Sequence, residues 1–322
     1  MNRIYSIVWN SVSACWQATS ESARSHGKPG RERARALLNT AILGTCLGAS
    51  QGALAGPTGG QVTAGSATIN QSGARTTIDQ SSQNAAINWQ SFSVGKSESV
   101  RFNQPNASSI TLNRVTGTES SQILGSLIAN GRVFILNPNG VLFGKDAQVN
   151  VGGIVASTGR MSDADFMAGN YKITGASQGS VINQGDIQTG EGGVIAFIAP
   201  LVQNTGTLNA PQGNVLLAGA EAVTLNLQDG SLIGYTLDKG SLQAMVDNGG
   251  LIQADGGHVV LTAKGLDALS KATVNHSGII EAHTVANKNG IVELLGDMEV
   301  GQVNLGGKID AEYKTGLFPL YL

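Results

Sequence analysis

The stretch 183–199 reads NQGDIQTGEGGVIAFIA, and its layout returns in 204–220, NTGTLNAPQGNVLLAGA, and in 248–264, NGGLIQADGGHVVLTAK. Each copy opens with Asn-x-Gly and an apolar position, passes a polar turn containing glycine, and closes with an alternating apolar run. Partial copies open at His276 (HSGIIEA) and Leu305 (LGGKIDA). Short alternating runs bounded by Gly and Asn indicate strands, and the first two copies start 21 residues apart. We therefore predict an all-β solenoid, a β-helix with one repeat per coil.

The repeat also predicts which side chains stack on one another. One apolar position recurs in every copy and should form an internal ladder of Ile187, Leu208, Ile252, Ile280 and Ile309. The opening asparagines should lie at a corner, where Asn tolerates a left-handed backbone and its amide can bond to the next coil; they are Asn183, Asn204 and Asn248. An antiparallel sandwich is the alternative, although it does not require equivalent positions to recur.

Two segments interrupt this rhythm. Residues 159–178 and 229–245 lack the repeat and contain Phe166, Tyr171 and Tyr235. We predict that both are extra-helical hairpins packed on one flank, so that the spacing of 44 between two copies is a coil plus an insertion.

Residues 61–157 also carry strand signals, such as AAINWQSFSV and GRVFIL. Trp89 and Phe92 are the bulkiest pair here, and we expect them to plug the N-terminal end. A solenoid needs such a cap because its first coil otherwise exposes an unpaired edge.

The N-terminus resembles a targeting segment. Five basic residues lie between 24 and 35, the apolar run 36–50 follows, and Ala53 and Ala55 fit an A-x-A cleavage site. We predict that signal peptidase removes residues 1–55 after Sec-dependent export and leaves Gly56 as the first mature residue. A transmembrane helix is the alternative, but a span needs about 20 apolar residues.

The predicted mature chain contains neither cysteine, since Cys15 and Cys46 lie in the leader. It holds 14 basic and 20 acidic residues, without a basic patch. Nucleic acid is therefore not an expected partner, and disulfides are not expected to stabilise the fold.

Four segments carry a specific family resemblance: AAINWQSFSVG, FNQPNASSITLNRVTG, SQILGSLIANGRVFILNPNGVLFG and AQVNVGGIVAST. Over most of residues 60–310 the chain resembles the filamentous haemagglutinin N-terminal domain, the secretion domain of two-partner exoproteins, in its high-molecular-weight-adhesin-like branch. The long leader resembles the extended signal peptide of such proteins. The resemblance implies a right-handed parallel β-helix with an N-terminal cap, secretion to the surface of a Gram-negative bacterium, and an Omp85-type outer-membrane transporter as partner.

The resemblance also implies candidate recognition residues, all of them in turn motifs or strand ends. Pro138 suits the second position of a turn, and Asn139-Gly140 accept a positive φ. For each motif a structural role and direct transporter contact both stay open. The candidates are Asn137, Pro138, Asn139 and Gly140 in NPNG, Asn113 and Arg114 in LNRV, and Asn103 and Asn106 in FNQPN.

For the activity beyond secretion, the resemblance implies adhesion or haemagglutination, with a host glycan or surface receptor as ligand. Contact-dependent toxin, haemolysin and haem acquisition are alternatives within the family. A carbohydrate-active β-helix enzyme is the alternative of another class, and it needs converging carboxylates.

Asp163 and Asp165 are the only close acidic pair in the interrupting segments and so the candidate pair for catalysis. We expect them to lie in a solvated turn instead. His258 and His276 are expected to be solvated corner residues, so we predict no enzyme, metal or cofactor. We divide the chain into a leader (1–55), a cap with first coils (56–157) and repeats with insertions (158–322). From the short apolar C-terminus we expect a truncated product, a short version of the family or a fragment.

Overall fold

A computed structural model describes the backbone of residues 5–10 and 15–20 and the residues 56–176, 178–228, 231–285 and 288–312. The chain forms two compact units, Met1–Ser50 and Gln51–Leu322. In the first unit, β1 (Tyr5–Asn10) pairs antiparallel with β2 (Cys15–Ser20). The predicted cleavage residues Ala53 and Ala55 lie outside the described residues.

The second unit is built almost entirely from short strands. Its first strands are β3 Gln61–Ala64, β4 Ala67–Ser72, β5 Arg75–Gln80, β6 Asn84–Trp89, β7 Ser99–Asn103, β8 Ile110–Val115, β9 Ser121–Ile123, β10 Ser126–Ala129, β11 Arg132–Leu136, β12 Val141–Phe143, β13 Gln148–Val151 and β14 Gly153–Ser157. The middle contains α1 Asp163–Met167, β15 Tyr171–Ile173, β16 Ser180–Asn183, β17 Asp186–Thr189, β18 Val194–Ala199, β19 Leu201–Asn204, β20 Thr207–Asn209, β21 Asn214–Gly219, β22 Ala222–Gln228 and β23 Ser231–Lys239. The last part contains β24 Gln243–Asn248, β25 Leu251–Gln253, β26 His258–Ala263, β27 Lys271–His276, β28 Ile279–Glu281, β29 Ile291–Leu295, β30 Gly301–Leu305 and β31 Lys308–Asp310.

These strands stack in three parallel columns, and each coil contributes one strand to each column in turn. The first column runs β5-β7-β10-β13-β17-β20-β25-β28-β31, the second β6-β8-β11-β14-β18-β21-β26-β29, and the third β9-β12-β16-β19-β24-β27-β30. The predicted right-handed parallel β-helix is confirmed. An antiparallel sandwich is wrong, because all pairs within these columns are parallel.

The predicted ladder is confirmed in register. Ile187 pairs with Leu208, Leu208 with Ile252, Ile252 with Ile280, and Ile280 with Ile309. The first four of these side chains have no exposed surface. Since burial of such a side chain contributes about 1.5–3 kcal/mol, the repeated apolar position is a main source of the fold's stability.

The second column is buried on both faces. In β18 the side chains of Ile195 and Phe197 belong to the interior of the coil, whereas Ala196 and Ile198 belong to a second apolar cluster outside it. A strand covered on both faces has a continuous apolar sequence instead of an alternating one, which explains the run VIAFIA.

The cover over this outer face comes from the two interrupting segments. Both leave the coil between its second and third strands, and β15, β22 and β23 form a small antiparallel sheet there. The prediction of a flank packing is confirmed, but its details are corrected. Residues 159–178 supply α1 and one strand, the hairpin is β22–β23, and the core strand β24 begins at Gln243 inside the predicted insertion.

The N-terminal cap is antiparallel. Strand β3 pairs with β6 and β4 pairs with β5, which reverses the strand direction at this end. Trp89 and Phe92 are buried beneath it with ring centroids 5.6 Å apart. A methyl group on Gly60 would lie 2.4 Å from the Trp89 ring and 2.8 Å from Ile69. The cap strands thus close over the predicted aromatic plug.

The corner asparagines form a buried ladder. Asn183 Nδ2 donates to Asn204 Oδ1 (2.9 Å), and Asn204 Nδ2 donates to Asn248 Oδ1 (2.8 Å). Asn248 Nδ2 then lies 3.1 Å from His276 Nδ1. The predicted amide bonds to the next coil are confirmed. The predicted left-handed backbone is wrong, since Gln212 is the one non-glycine residue with positive φ in the described part.

The expectation for the histidines is also corrected. His276 is buried, because it continues the asparagine ladder, and its Nε2 lies 3.1 Å from the Lys308 carbonyl oxygen. An imidazole with its proton on Nε2 satisfies both neighbours. His258 is the first residue of β26 and is not in a turn.

Candidate functional site

The NPNG motif is a tight turn between β11 and β12. The main-chain N of Gly140 donates to the Asn137 carbonyl oxygen (3.0 Å), and the Asn139 main-chain N donates to Asn137 Oδ1 (2.9 Å). Of the two residues predicted to accept a positive φ, Gly140 does so with φ of 108°, whereas Asn139 does not. Pro138 therefore starts a turn that the Asn137 side chain and Gly140 complete.

The residues of this turn differ in exposure. Asn137 is fully buried, and its Nδ2 donates to the Glu119 carbonyl oxygen and to Ser121 Oγ, both at 3.0 Å. Asn139 is exposed, and its Nδ2 donates to the Gly117 carbonyl oxygen (2.9 Å). Asn137 thus joins its turn to the preceding coil, while Asn139 presents a side chain to the surface.

In the LNRV motif, Asn113 is a core residue. It is fully buried in β8, where its Oδ1 accepts a hydrogen bond from Trp89 Nε1 (2.9 Å). Its Nδ2 donates to the Phe134 carbonyl oxygen (3.2 Å). The asparagine therefore satisfies the polar atom of the aromatic plug, and a buried Trp needs such a partner. The sequence offered no signal for this pair.

Arg114 occupies the opposite face of β8 and is held by four partners. Its Nε donates to Asn88 Oδ1 (3.0 Å), Nη1 to the Met161 carbonyl oxygen (3.0 Å), and Nη2 forms an ion pair with Asp163. Nη2 also donates to Thr63 Oγ1 (3.2 Å). Arg114 thus joins the cap, the second coil and the flanking segment.

This arrangement corrects the expectation for the acidic pair. Asp163 and Asp165 lie on α1 and not in a solvated turn. The Asp165 main-chain N donates to Ser162 Oγ at the helix N-cap (3.0 Å), and Asp163 faces Arg114. Each carboxylate therefore contributes to positioning the flanking segment.

A cavity of about 330 Å³ brings two of the three motifs together. Arg114 lies on one side, Pro138 and Asn139 on another, and Arg160 and Met161 of the flanking segment complete it. The third motif, FNQPN, does not contribute to this cavity. The sequence could not reveal the juxtaposition, because it depends on the register in which Leu136 pairs with Arg114.

In FNQPN the predicted residues are exposed, and the central glutamine is the buried one. Asn103 Nδ2 donates to Asp79 Oδ1 (2.7 Å), and Asn106 Nδ2 donates to Gln83 Oε1 (2.9 Å). Gln104 Nε2 donates to Thr111 Oγ1 (3.0 Å) and to the Arg132 carbonyl oxygen (2.9 Å). Gln104 was not predicted from the sequence. Its buried amide bonds to groups of its own and the next coil at this corner, as the amides of Asn183 and Asn204 do in later coils.

Outside these motifs, one pair of ionisable side chains has pKa values shifted by burial. Burial lowers the pKa of the Arg132 guanidinium and raises the pKa of the Tyr171 phenol, and these two groups lie close to each other. No group of three His, Cys, Asp or Glu side chains in the described residues is arranged to hold a metal ion. The described residues also include no helix long and apolar enough to cross a membrane.

Comparisons with known proteins agree with this geometry. A family described as "TPS secretion domain" matches residues 53–311, and one described as "Extended Signal Peptide of Type V secretion system" matches residues 1–50. A heme/hemopexin-binding protein of Haemophilus influenzae Rd is 36% identical over 79% of this chain and 28% of its own length. Another heme/hemopexin-binding protein of Haemophilus influenzae is 32% identical over 81% of this chain and 30% of its own length. This chain thus spans less than a third of either relative.

Among solved structures, the HMW1 secretion domain from Haemophilus influenzae has the same fold. The TM-score is 0.61 at 24% identity, over 80% of this chain and 85% of that one.

Proposed function

This chain belongs to the TPS secretion domain family of two-partner-secreted exoproteins. We therefore propose that one cognate outer-membrane transporter recognises and binds residues 56–312, and that these residues start to fold at the cell surface. Proteins of this family leave a Gram-negative cell through the periplasm, and TPS domains in general are recognised by such transporters. The partner proposed here is an Omp85-type barrel with periplasmic domains.

The observation that carries this proposal is the stacking order. Each strand of a column pairs with the strand of the coil before it and the coil after it, as Leu208 does with Ile187 and Ile252. Contacts are therefore made with segments that have already emerged, and folding can proceed from the N-terminal cap while the rest of the chain is still being exported.

A matched pair of variants tests whether folding supports export. Ile187→Asp places a charge in the interior of β17, whereas Gln188→Asp places the same charge on the exposed face of that strand. Co-expressed with the transporter, the first variant should lose most of its secretion, and the second should keep it. Equal secretion of both, with the first unfolded in the medium, would show that folding does not contribute.

For recognition we propose that the exposed residues Asn139, Asn103 and Asn106 contact the transporter, whereas Asn137, Gly140 and Asn113 act through the fold. We propose that Pro138 and Arg114 position the turn and the cavity beside it for this contact. Asn139→Ala should reduce secretion several-fold with only a small change in the unfolding midpoint of the purified protein, because the hydrogen bond lost to the Gly117 carbonyl oxygen is exposed. Asn150→Ala, at an exposed asparagine of β13, is the control. Normal secretion of Asn139→Ala would contradict direct contact at this turn.

For processing we propose that the Sec machinery exports the chain and that signal peptidase cuts between Ala55 and Gly56. The small residues Ala53 and Ala55, which fit an A-x-A cleavage pattern, support this position. Mass spectrometry of the exported protein should give Gly56 as its first residue. A different first residue would refute the site but not the secretion function.

For the activity beyond secretion, the relatives favour heme or hemopexin binding over the adhesion predicted first. We therefore propose that the exoprotein carrying this domain serves haem acquisition, with adhesion to a host glycan or receptor as the second candidate. Deletion of the gene should abolish growth on hemopexin-bound haem but not on free haem. Unchanged growth, together with lost cell attachment, would favour adhesion.

We propose no catalytic role for this domain, whose family is one of secretion domains. The ion pair of Asp163 with Arg114 and the capping arrangement at Asp165 support this view. Polysaccharide cleavage that is lost in Asp163→Asn while the fold is retained would contradict it.

A further inference from the structure

A buried carboxylate lies beneath the N-terminal cap. The Glu98 side chain precedes β7, the residue is only 8% exposed, and its Oε2 accepts a hydrogen bond from the Gly95 main-chain N (2.6 Å). No lysine, arginine or histidine among the described residues forms an ion pair with it. Burying a carboxylate without a cation is unfavourable, because the lost hydration is not replaced by an opposite charge.

The carboxylate faces a cavity of about 240 Å³, and Gly56 forms part of its wall. A methyl group on the Gly56 α-carbon would lie 3.8 Å from Glu98 Oε2, 4.0 Å from Oε1 and 3.9 Å from Thr76 Oγ1. The nitrogen of Gly56 is bonded to the same α-carbon, so it lies within about 6 Å of the carboxylate. Glu98 is the one titratable residue that lines this cavity in the described part of the chain.

The segment that begins with Gly56 is held in place. Gln71 Nε2 donates to the Pro57 carbonyl oxygen (2.5 Å), and the Thr58 main-chain N donates to the Ser91 carbonyl oxygen (2.8 Å). The Gln90 main-chain N in turn donates to the Thr58 carbonyl oxygen (2.9 Å). Gly56 is thus fixed beside Glu98 by contacts that do not depend on the residues preceding it.

Cleavage at the proposed site changes the charge at this position. Water adds across the Ala55–Gly56 peptide bond, so that the leader keeps a carboxylate and Gly56 gains an α-amino group. An α-amino group has an ordinary pKa of about 7.7–8.0 and is mostly protonated at neutral pH. Processing therefore creates a cation next to the carboxylate that lacks one.

We propose that this cavity is the binding site for the new N-terminal ammonium group of Gly56, with Glu98 as its counter-ion. The inference rests on the cleavage position proposed above. Its consequence is that removal of the leader stabilises the cap, which is the part of the domain on which the following coils stack. A charge-assisted hydrogen bond at a buried site is stronger than a neutral one and fixes the segment more firmly.

The test compares two forms of residues 56–322, released from a fusion partner by a protease. One begins at Gly56, and the other keeps Ala55 and so restores a neutral amide at Gly56. Hydrogen exchange of the amides in β3–β6 should be about tenfold slower in the form that begins at Gly56, which corresponds to about 1.4 kcal/mol. Glu98→Gln should remove this difference, because it keeps an oxygen for the Gly95 amide but no charge. Glu191→Gln, at an exposed glutamate, should preserve it.

A second readout is the titration of the N-terminal amine, followed by NMR after isotope labelling. It should occur at a pH about one unit higher with Glu98 than in Glu98→Gln. Equal cap exchange in both forms, or an N-terminal titration unchanged by Glu98→Gln, would overturn the proposal. If Glu98→Gln does not fold, Nα-acetylation of the Gly56 form provides the same comparison. Mass spectrometry of the exported protein tests the cleavage site separately, so the two failures are distinguishable.

Discussion

The first coil and the last described coil of the solenoid are covered in different ways. At the first coil, the antiparallel strands β3 and β4 cover the strands beneath them, and Trp89 and Phe92 are buried. At the last described coil, β29, β30 and β31 each pair with one neighbouring strand within the described residues. Apolar side chains are exposed there, with Leu305 at 63% and Met298 at 99%.

The difference shows that parallel stacking by itself leaves the outermost described strands with one unpaired side. Each interior coil is covered on both sides by copies of itself, whereas a terminal strand leaves main-chain groups and apolar side chains available for pairing. At the N-terminal end, the antiparallel strands β3 and β4 and the buried side chains of Trp89 and Phe92 cover the first coil. Stability should therefore decrease along the solenoid from the cap to the last described coil.

The largest expected effect is at the plug. Trp89→Ala should lower the free energy of unfolding by about 3–5 kcal/mol, because it empties a buried site and leaves Asn113 without its partner. Leu305→Ala, in the last described coil, should change it by less than about 0.5 kcal/mol. Chemical denaturation of the secreted protein measures both. Similar losses for the two variants would show that the ends are equally packed.

The next effect concerns the asparagine ladder. Asn204→Ala removes a partner from Asn183 and from Asn248 in the interior, so we expect a loss of roughly 2–3 kcal/mol. His276→Ala ends the ladder one coil earlier and should mainly increase hydrogen exchange in β27 and β30. A global loss in His276→Ala as large as in Asn204→Ala would mean that the last coils unfold with the rest.

A smaller effect should come from glycines at stacked corners. A methyl group would lie 2.2 Å from the Gln90 carbonyl oxygen at Gly117, and 2.2 Å from the Gly278 carbonyl oxygen at Gly307. Gly117→Ala should lower stability by about 1–3 kcal/mol, since the clash is next to the cap. Gly307→Ala should loosen only β31, the last described strand. Gly190→Ala, with no atom near the added methyl, is the control for both. Equal unfolding midpoints for Gly117→Ala and Gly190→Ala would refute the steric argument.

The smallest effect should be a pH dependence in the last described coil. The pKa of Asp297 is lowered by hydrogen bonds from the Glu299 and Val300 main-chain amides, and the pKa of Asp310 is lowered by its hydrogen bond with Lys308. Carboxylates with a depressed pKa stabilise the fold above their unfolded value of about 3.9, and this contribution is lost as pH falls through the folded value. Hydrogen exchange in β30, corrected for the intrinsic rate, should indicate easier opening below about pH 4. Asp297→Asn should show less of this change, and an unaltered pH profile in that variant would contradict the assignment.

The interior of the second half could be predicted from its repeat. The ladder from Ile187 to Ile309 and the corner positions of Asn183, Asn204 and Asn248 follow from recurrence, because stacking places equivalent residues on one another. The first half has no such visible period, so the positions of Asn113 beside Trp89 and of Gln104 in its corner were not predictable. The position of the flanking segments was predicted, but their secondary structure was not, because a helix as short as α1 has too few residues to show a helical period.

The candidate site divides in the same way. The motifs NPNG, LNRV and FNQPN could be selected from the sequence through their resemblance, and their transporter contacts remain predictions. Which residues of these motifs are exposed could not be predicted from the sequence. Asn137 and Asn113 are buried, whereas Asn139, Asn103 and Asn106 are exposed, because each depends on the register of the coil on which it lies.

The solenoid and its apolar ladder could be predicted from the amino-acid sequence, because in a repeating unit each position stacks on its own copy, and the resemblance to secretion domains followed from the quoted motifs. Three features became visible only in the folded chain: the antiparallel cap, the ion pair of Arg114 with Asp163, and the cavity that places Glu98 beside Gly56. The ion pair and the cavity join residues that are 49 and 42 positions apart, respectively, and that belong to different elements. Their distances follow from the way in which the coils stack and not from any local pattern.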